Sequence, residues 1–160
     1  KMGEMEENPG YEFWNGDGTI EGITWGGCLE VLSINLQAQR FMPSAKQLEG
    51  KVLMLETSEE IPEIHWIDWF MNGLGERGIL DRLSALIIGK PKTRHHRDHG
   101  KEEREQYRAE QKQSIKKAVK RYSPGTPVVF DLDFGHTQPL SPLPVGGTVN
   151  IDFEREQINF

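Results

Sequence analysis

The 160-residue chain has a single cysteine, Cys28, and its positive side chains are outnumbered: Lys+Arg 19 against Asp+Glu 25, a net charge of −6. One cysteine excludes an internal disulfide framework and fits a reducing compartment, so a cytoplasmic location is expected. The acidic balance gives no general reason to expect nucleic acid or an anionic membrane as partner. A membrane helix needs ~18 or more consecutive apolar residues, whereas apolar blocks here, such as Ala85-Leu86-Ile87-Ile88, are of strand size. Internal repeats and low-complexity linkers are missing, which leaves one ordinary domain. The Gly-x-Ser-x-Gly elbow of serine hydrolases is missing as well.

What is present is a set of short apolar blocks separated by turn residues. Residues 1–10 are glutamate-rich and read as a loose lead-in, and an opening of Lys1-Met2-Gly3-Glu4 suggests a domain cut from a longer protein. Tyr11 to Trp14 and Thr19 to Trp25 flank Asn15-Gly16-Asp17-Gly18, a pattern that predicts a hairpin. Gly26-Gly27 is expected to end the second strand. A helix from Cys28 to Leu36 follows, with Leu29, Leu32 and Leu36 on one stripe. Glycines ahead of a helix expose N–H groups that suit an anion, although a tight structural turn is the commoner explanation.

Lys51 to Glu56 reads as a strand. Thr57 and Glu60 match a capping box, with Pro62 in the first turn of a helix carrying Ile61, Ile64, Ile67, Met71 and Leu74. Ala85 to Gly89 is a third buried strand. From Lys90 to Tyr122 the chain is basic, with 12 Lys+Arg against 5 Asp+Glu, and Glu102 to Tyr122 predicts a long helix with a narrow stripe of Tyr107, Ile115, Val119 and Tyr122. A charged helix lying on a sheet accounts for this without a nucleic-acid ligand, since no interleaved aromatics or recognised module accompany it. Pro127 to Phe130, Gly146 to Phe153 and Gln157 to Phe160 complete the strands. The interleaved order argues an α/β fold with a layered, mixed sheet.

Two motifs mislead. His96-Arg97-Asp98 and Asp133-Phe134-Gly135 imitate a kinase pair, but Glu103 stands where a metal-holding asparagine is required, and no glycine-rich loop with a strand lysine precedes them. His95, His96 and His99 offer ligand types without the spacing of a zinc framework, so neither a metal nor another cofactor is expected.

The chemistry centres on two strand ends. Glu56 closes one apolar strand; His136 follows another, after the hinge Gly135. Open α/β sheets bind ligands beyond the carboxyl ends of their strands. A carboxylate beside an imidazole fixes its tautomer, the orienter and base of a Ser-His-Asp/Glu arrangement. The nucleophile is not evident: Ser58 falls in the expected helix cap, and Ser141 lies among prolines.

Gly26-Gly27-Cys28-Leu29-Glu30-Val31-Leu32, Leu55-Glu56-Thr57-Ser58-Glu59, Leu86-Ile87-Ile88-Gly89-Lys90, Asp131 to Thr137, and Pro139 with Leu143-Pro144-Val145-Gly146 occur in that order. Together they resemble the C-terminal domain of the serine LD-carboxypeptidase family, which includes the microcin C immunity peptidases. The resemblance implies a swivelling β/β/α domain over residues 13–160. It implies that residues 1–12 lead in from a missing N-terminal domain bearing the serine, and that the activity is hydrolysis of an amide near a peptide C-terminus, as in recycling of cell-wall peptides. It places the triad glutamate at Glu56 and the histidine at His136. It sets Gly26, Gly27 and Leu29 along the substrate pocket, with Glu30 facing the substrate. Many members have asparagine where Cys28 stands, and the microcin-type peptidases have a small polar residue in place of Glu30; an acidic residue there favours a substrate amine. The implied partners are a peptide and the nucleophile domain, with a homodimer common in the family; the isolated chain is expected to be inactive. A stand-alone, non-catalytic binding or assembly domain is the competing expectation.

Overall fold

A computed structural model describes residues 10–94 and 100–160. Among the described residues, seven strands form one sheet in the order β1-β5-β4-β3-β2-β6-β7. They are β1 (Glu12–Trp14), β2 (Thr19–Cys28), β3 (Val52–Glu56), β4 (Ala85–Gly89), β5 (Val128–Leu132), β6 (Thr148–Asp152) and β7 (Gln157–Asn159). The central four run parallel, and β1, β6 and β7 add antiparallel edges. Helices α1 (Leu29–Ala38), α2 (Ile64–Glu76) and α3 (Lys101–Tyr122) cover one face. Leu29, Leu53, Ile67, Met71, Leu86, Ile115 and Phe130 are among the side chains that fill this helix-side core. On the other face the sheet curls upon itself, so Met54, Ile87, Val129, Val149 and Ile151 form a second core. The curl brings the two edges together: the Phe13 ring of β1 meets Phe153, beyond β6, edge-on at 5.6 Å. The fold is the expected α/β domain with a layered, mixed sheet.

β3, β4 and β5 are buried at every residue, which is why each reads as an apolar run rather than an alternating one, broken by Glu56 at the end of β3 and Asp131 near the end of β5. The expected hairpin does not form. β1 pairs with β5, and β2 pairs with β3 and β6. The Asn15 amide donates to the carbonyls of Pro124 and Thr126 at 2.8 and 3.0 Å, pinning β1 beside the turn that leads into β5. Local turn chemistry was outcompeted by this non-local anchor. Nor does Gly26-Gly27 end β2, which runs on through Cys28 against β3. A Cβ on Gly26 would lie 1.8 Å from the Met54 carbonyl oxygen, so glycine is required by backbone approach within the strand.

The predicted start of α2 is also wrong. The helix begins at Ile64, and its N-cap Glu63 makes no side-chain cap bond. The Thr57 hydroxyl instead accepts from Gln111 of α3 at 3.1 Å, and residues 58–63 run as a loop before the helix. On α3 the inward face includes Gln111 and Ser114; Ser114 donates to Asp68 of α2 at 2.7 Å. Such satisfied polar positions are invisible to an apolar stripe.

Candidate active site

The C-terminal ends of β2, β3, β4 and β5 meet at one edge of the sheet. β3 delivers Glu56, 8% exposed, and the segment after β5 delivers His136. The His136 Nδ1 and Glu56 Oε2 lie 2.7 Å apart, a short hydrogen bond. The approach depends on glycine: Gly135 has φ 95°, and a Cβ there would lie 2.6 Å from Glu56 Oε2. The histidine is 39% exposed at its side chain, and its Nε2 stands 3.0 Å from Glu59 Oε2. The hydrogen bond to Glu56 raises the imidazole above its usual pKa; burial opposes, and the charges of Glu56, Glu59 and Glu30 add to the rise.

Glu30, at the first turn of α1, faces the same edge. Its carboxylate accepts from the Ser58 hydroxyl at 2.6 Å, from the Ser58 N–H at 3.1 Å, and from the Cys28 thiol at 3.3 Å. Ser58 is therefore the partner of Glu30, and the helix cap in which it was expected to lie does not form. Cys28 offers no thiolate: burial first, then the Glu30 and Glu56 carboxylates, push its thiol up to about 11. Ser141 is exposed, with its N–H bonded to the Asp133 carbonyl at 2.7 Å. Beside Cys28, Gly27 leaves open space, since a Cβ there would meet nothing within 4 Å.

Glu56 and His136 thus come into direct contact, Glu30 lies in the same charged cluster, and Gly27 borders it through Cys28. Glu59 was missed as a neighbour of His136. Its acidic run passes for a helix start, and only the unwinding of that turn puts its carboxylate on the imidazole. His95, His96 and His99 lie outside the described residues. Among the described residues, no group of three or more His, Cys, Asp or Glu side chains could hold a metal ion, and no helix is long and apolar enough to cross a membrane.

Comparison with known proteins agrees with this architecture. The microcin C7 self-immunity protein MccF of Escherichia coli is 28% identical over 144 residues, 90% of this chain and 38% of that protein. A crystal structure of an MccF-like protein from Streptococcus pneumoniae, in complex with AMP, superposes with a TM-score of 0.74 at 26% identity, covering 96% of this chain and 44% of that one. An MccF-like protein from Bacillus anthracis shares the fold, with a TM-score of 0.67 at 20% identity over 95% of this chain and 42% of that one. The chain therefore spans about two fifths of the length of these relatives. Residues 21–151 match the family described as the LD-carboxypeptidase C-terminal domain, and the chain belongs to that family.

Proposed function

We propose that this chain is the C-terminal half of a serine carboxypeptidase, supplying the histidine and glutamate of a Ser-Glu-His triad. The serine comes from an N-terminal domain of the same protein. The observation that supports this reading above the others is the 2.7 Å contact between His136 Nδ1 and the nearly buried Glu56. A carboxylate on Nδ1 keeps the proton there and leaves Nε2 as the basic nitrogen.

In the proposed reaction, the serine hydroxyl takes the place of Glu59 at Nε2. His136 withdraws its proton as the oxygen attacks an amide carbonyl near the peptide's C-terminus. The tetrahedral intermediate collapses as the same proton passes to the leaving amine, and water then repeats the sequence on the acyl-enzyme. Glu56 stabilises the imidazolium throughout. Gly27 leaves room for the peptide backbone, and Glu30, held by Ser58, offers its remaining acceptor capacity to a substrate amine. Recycling of cell-wall peptides in the cytoplasm is the setting this chemistry suits.

The test is His136→Ala in the full-length protein, assayed on peptides ending in a D-residue. Turnover should fall by about 10⁴-fold or more, by analogy with loss of a triad member, while the variant still folds, as shown by a cooperative thermal melt. Undiminished hydrolysis by a folded variant would refute the reading.

A further inference from the structure

Asp131 stands at the penultimate position of β5 with φ 66°, in the left-handed region, although it carries a side chain. That conformation is disfavoured for residues with a Cβ, less severely for aspartate than for most. It falls where the β4–β5 ladder slips. Ile87 faces Val129 and Gly89 faces Leu132, so β5 uses one residue more than β4 over the same stretch. This is a β-bulge, a device that bends a strand and re-aims its side chains.

The effect is visible in which core each residue joins. Val128 and Phe130 enter the helix-side core, and Val129 the other. Regular alternation would return Leu132 to the helices, yet Leu132 and Phe134 both pack into the second core. The re-aimed end then seats tightly. A Cβ on Gly89 would lie 2.8 Å from the Phe134 carbonyl oxygen, and Gly135 presses on Glu56. From that seat His136 meets its carboxylate.

A charge pair holds the bulge. Asp131 is 6% exposed and ion-paired to the Lys112 ammonium of α3. Lys112 also binds Glu12 of β1 at 2.9 Å, and Lys116 takes the other Glu12 oxygen. The Lys112 Nζ lies 5.8 Å from the ring centroid of Phe130, just before the bulge. A buried carboxylate without a partner is costly, so the unusual backbone and the ion pair depend on each other.

We propose that Asp131 and Lys112 are positioning residues that aim His136 at Glu56 by fixing the bulge, without touching the imidazole. The inference rests on the reading of His136 as the catalytic base. Its test uses the full-length protein and two readouts, both taken below the melting transitions of all variants. One is the NMR resonance of the His136 Nδ1 proton, identified by its loss in His136→Gln. The other is kcat and KM on a peptide substrate.

Lys112→Met should shift or abolish the resonance and lower kcat about tenfold or more, with KM within about twofold. Adding Asp131→Gly should recover both in part, because glycine adopts φ 66° freely and leaves no orphaned carboxylate. Asp131→Ala, which lacks that freedom, should be more impaired than Asp131→Gly alone; this comparison serves if Lys112→Met does not fold. An unchanged resonance in Lys112→Met or in Asp131→Ala would overturn the proposal, as would a double variant no better than Lys112→Met. A shifted resonance with intact turnover would keep the positioning pair and sink the catalytic reading instead.

Discussion

Replacing Gly135 by alanine tests whether the contact between Glu56 and His136 is set by steric exclusion. Two costs arise. With φ at 95°, an alanine sits in the region L-residues avoid, a cost of about 1–2 kcal/mol. The new methyl would also lie 2.6 Å from Glu56 Oε2, 2.8 Å from Glu56 Cβ and 2.9 Å from Cγ. Because the Cβ is among these atoms, rotating the carboxylate away does not relieve the collision, and overpacking of this kind costs about 1–3 kcal/mol more. The total, roughly 2–5 kcal/mol, lowers Tm by roughly 4–20 °C for a domain of this size.

Oε2 is the atom that holds His136. Reaching the 3.4 Å of ordinary contact requires it to retreat about 0.8 Å, and a misplacement of ~1 Å costs about 10²-fold in rate. Gly146→Ala is the control: its φ is 82°, but a Cβ there meets nothing within 4 Å. It should show the backbone cost alone, with kcat unchanged. The assays are thermal melts and peptide hydrolysis by the full-length protein. If Gly135→Ala keeps wild-type kcat and melts no lower than Gly146→Ala, the steric reasoning is wrong.

Glu59→Gln removes one of the negative charges at His136 and should lower the imidazole pKa. A base must be deprotonated to act, so the acid limb of kcat/KM should move to lower pH; an unmoved or rising limb would exclude Glu59 as a charge felt by the catalytic base. The same raised pKa makes a stability prediction. Its contribution is fully present below the ordinary value of 6.5 and is lost as pH rises through the higher folded value; Glu59→Gln should flatten that part of the stability curve. Glu30→Gln should raise KM several-fold for peptides with a free amine near the scissile bond and leave the N-acetylated analogues unaffected. Equal effects on both would show that Glu30 serves Ser58 alone.

The buried parallel strands were legible because a strand covered on both faces is apolar along most of its length, and β3, β4 and β5 advertise this locally. The long helix, the β6–β7 pair and the strand-end placement of Glu56 and His136 were legible for similar reasons: periodicity, turn residues and the hinge Gly135 lie within a few positions of what they control. The partner of β1, the unwound turn before α2 and the bulge at Asp131 were not. Each goes with a contact to a residue far along the chain: Asn15 with Thr126, Thr57 with Gln111, and Asp131 with Lys112. Local pattern determined which segments are strands and helices and that Glu56 and His136 lie at or beyond the ends of two buried strands. Tertiary structure decided which strands are neighbours and where the carboxylates meet the imidazole, because hydrogen bonds and charge pairs between distant segments outweigh the small preferences of a turn or a cap.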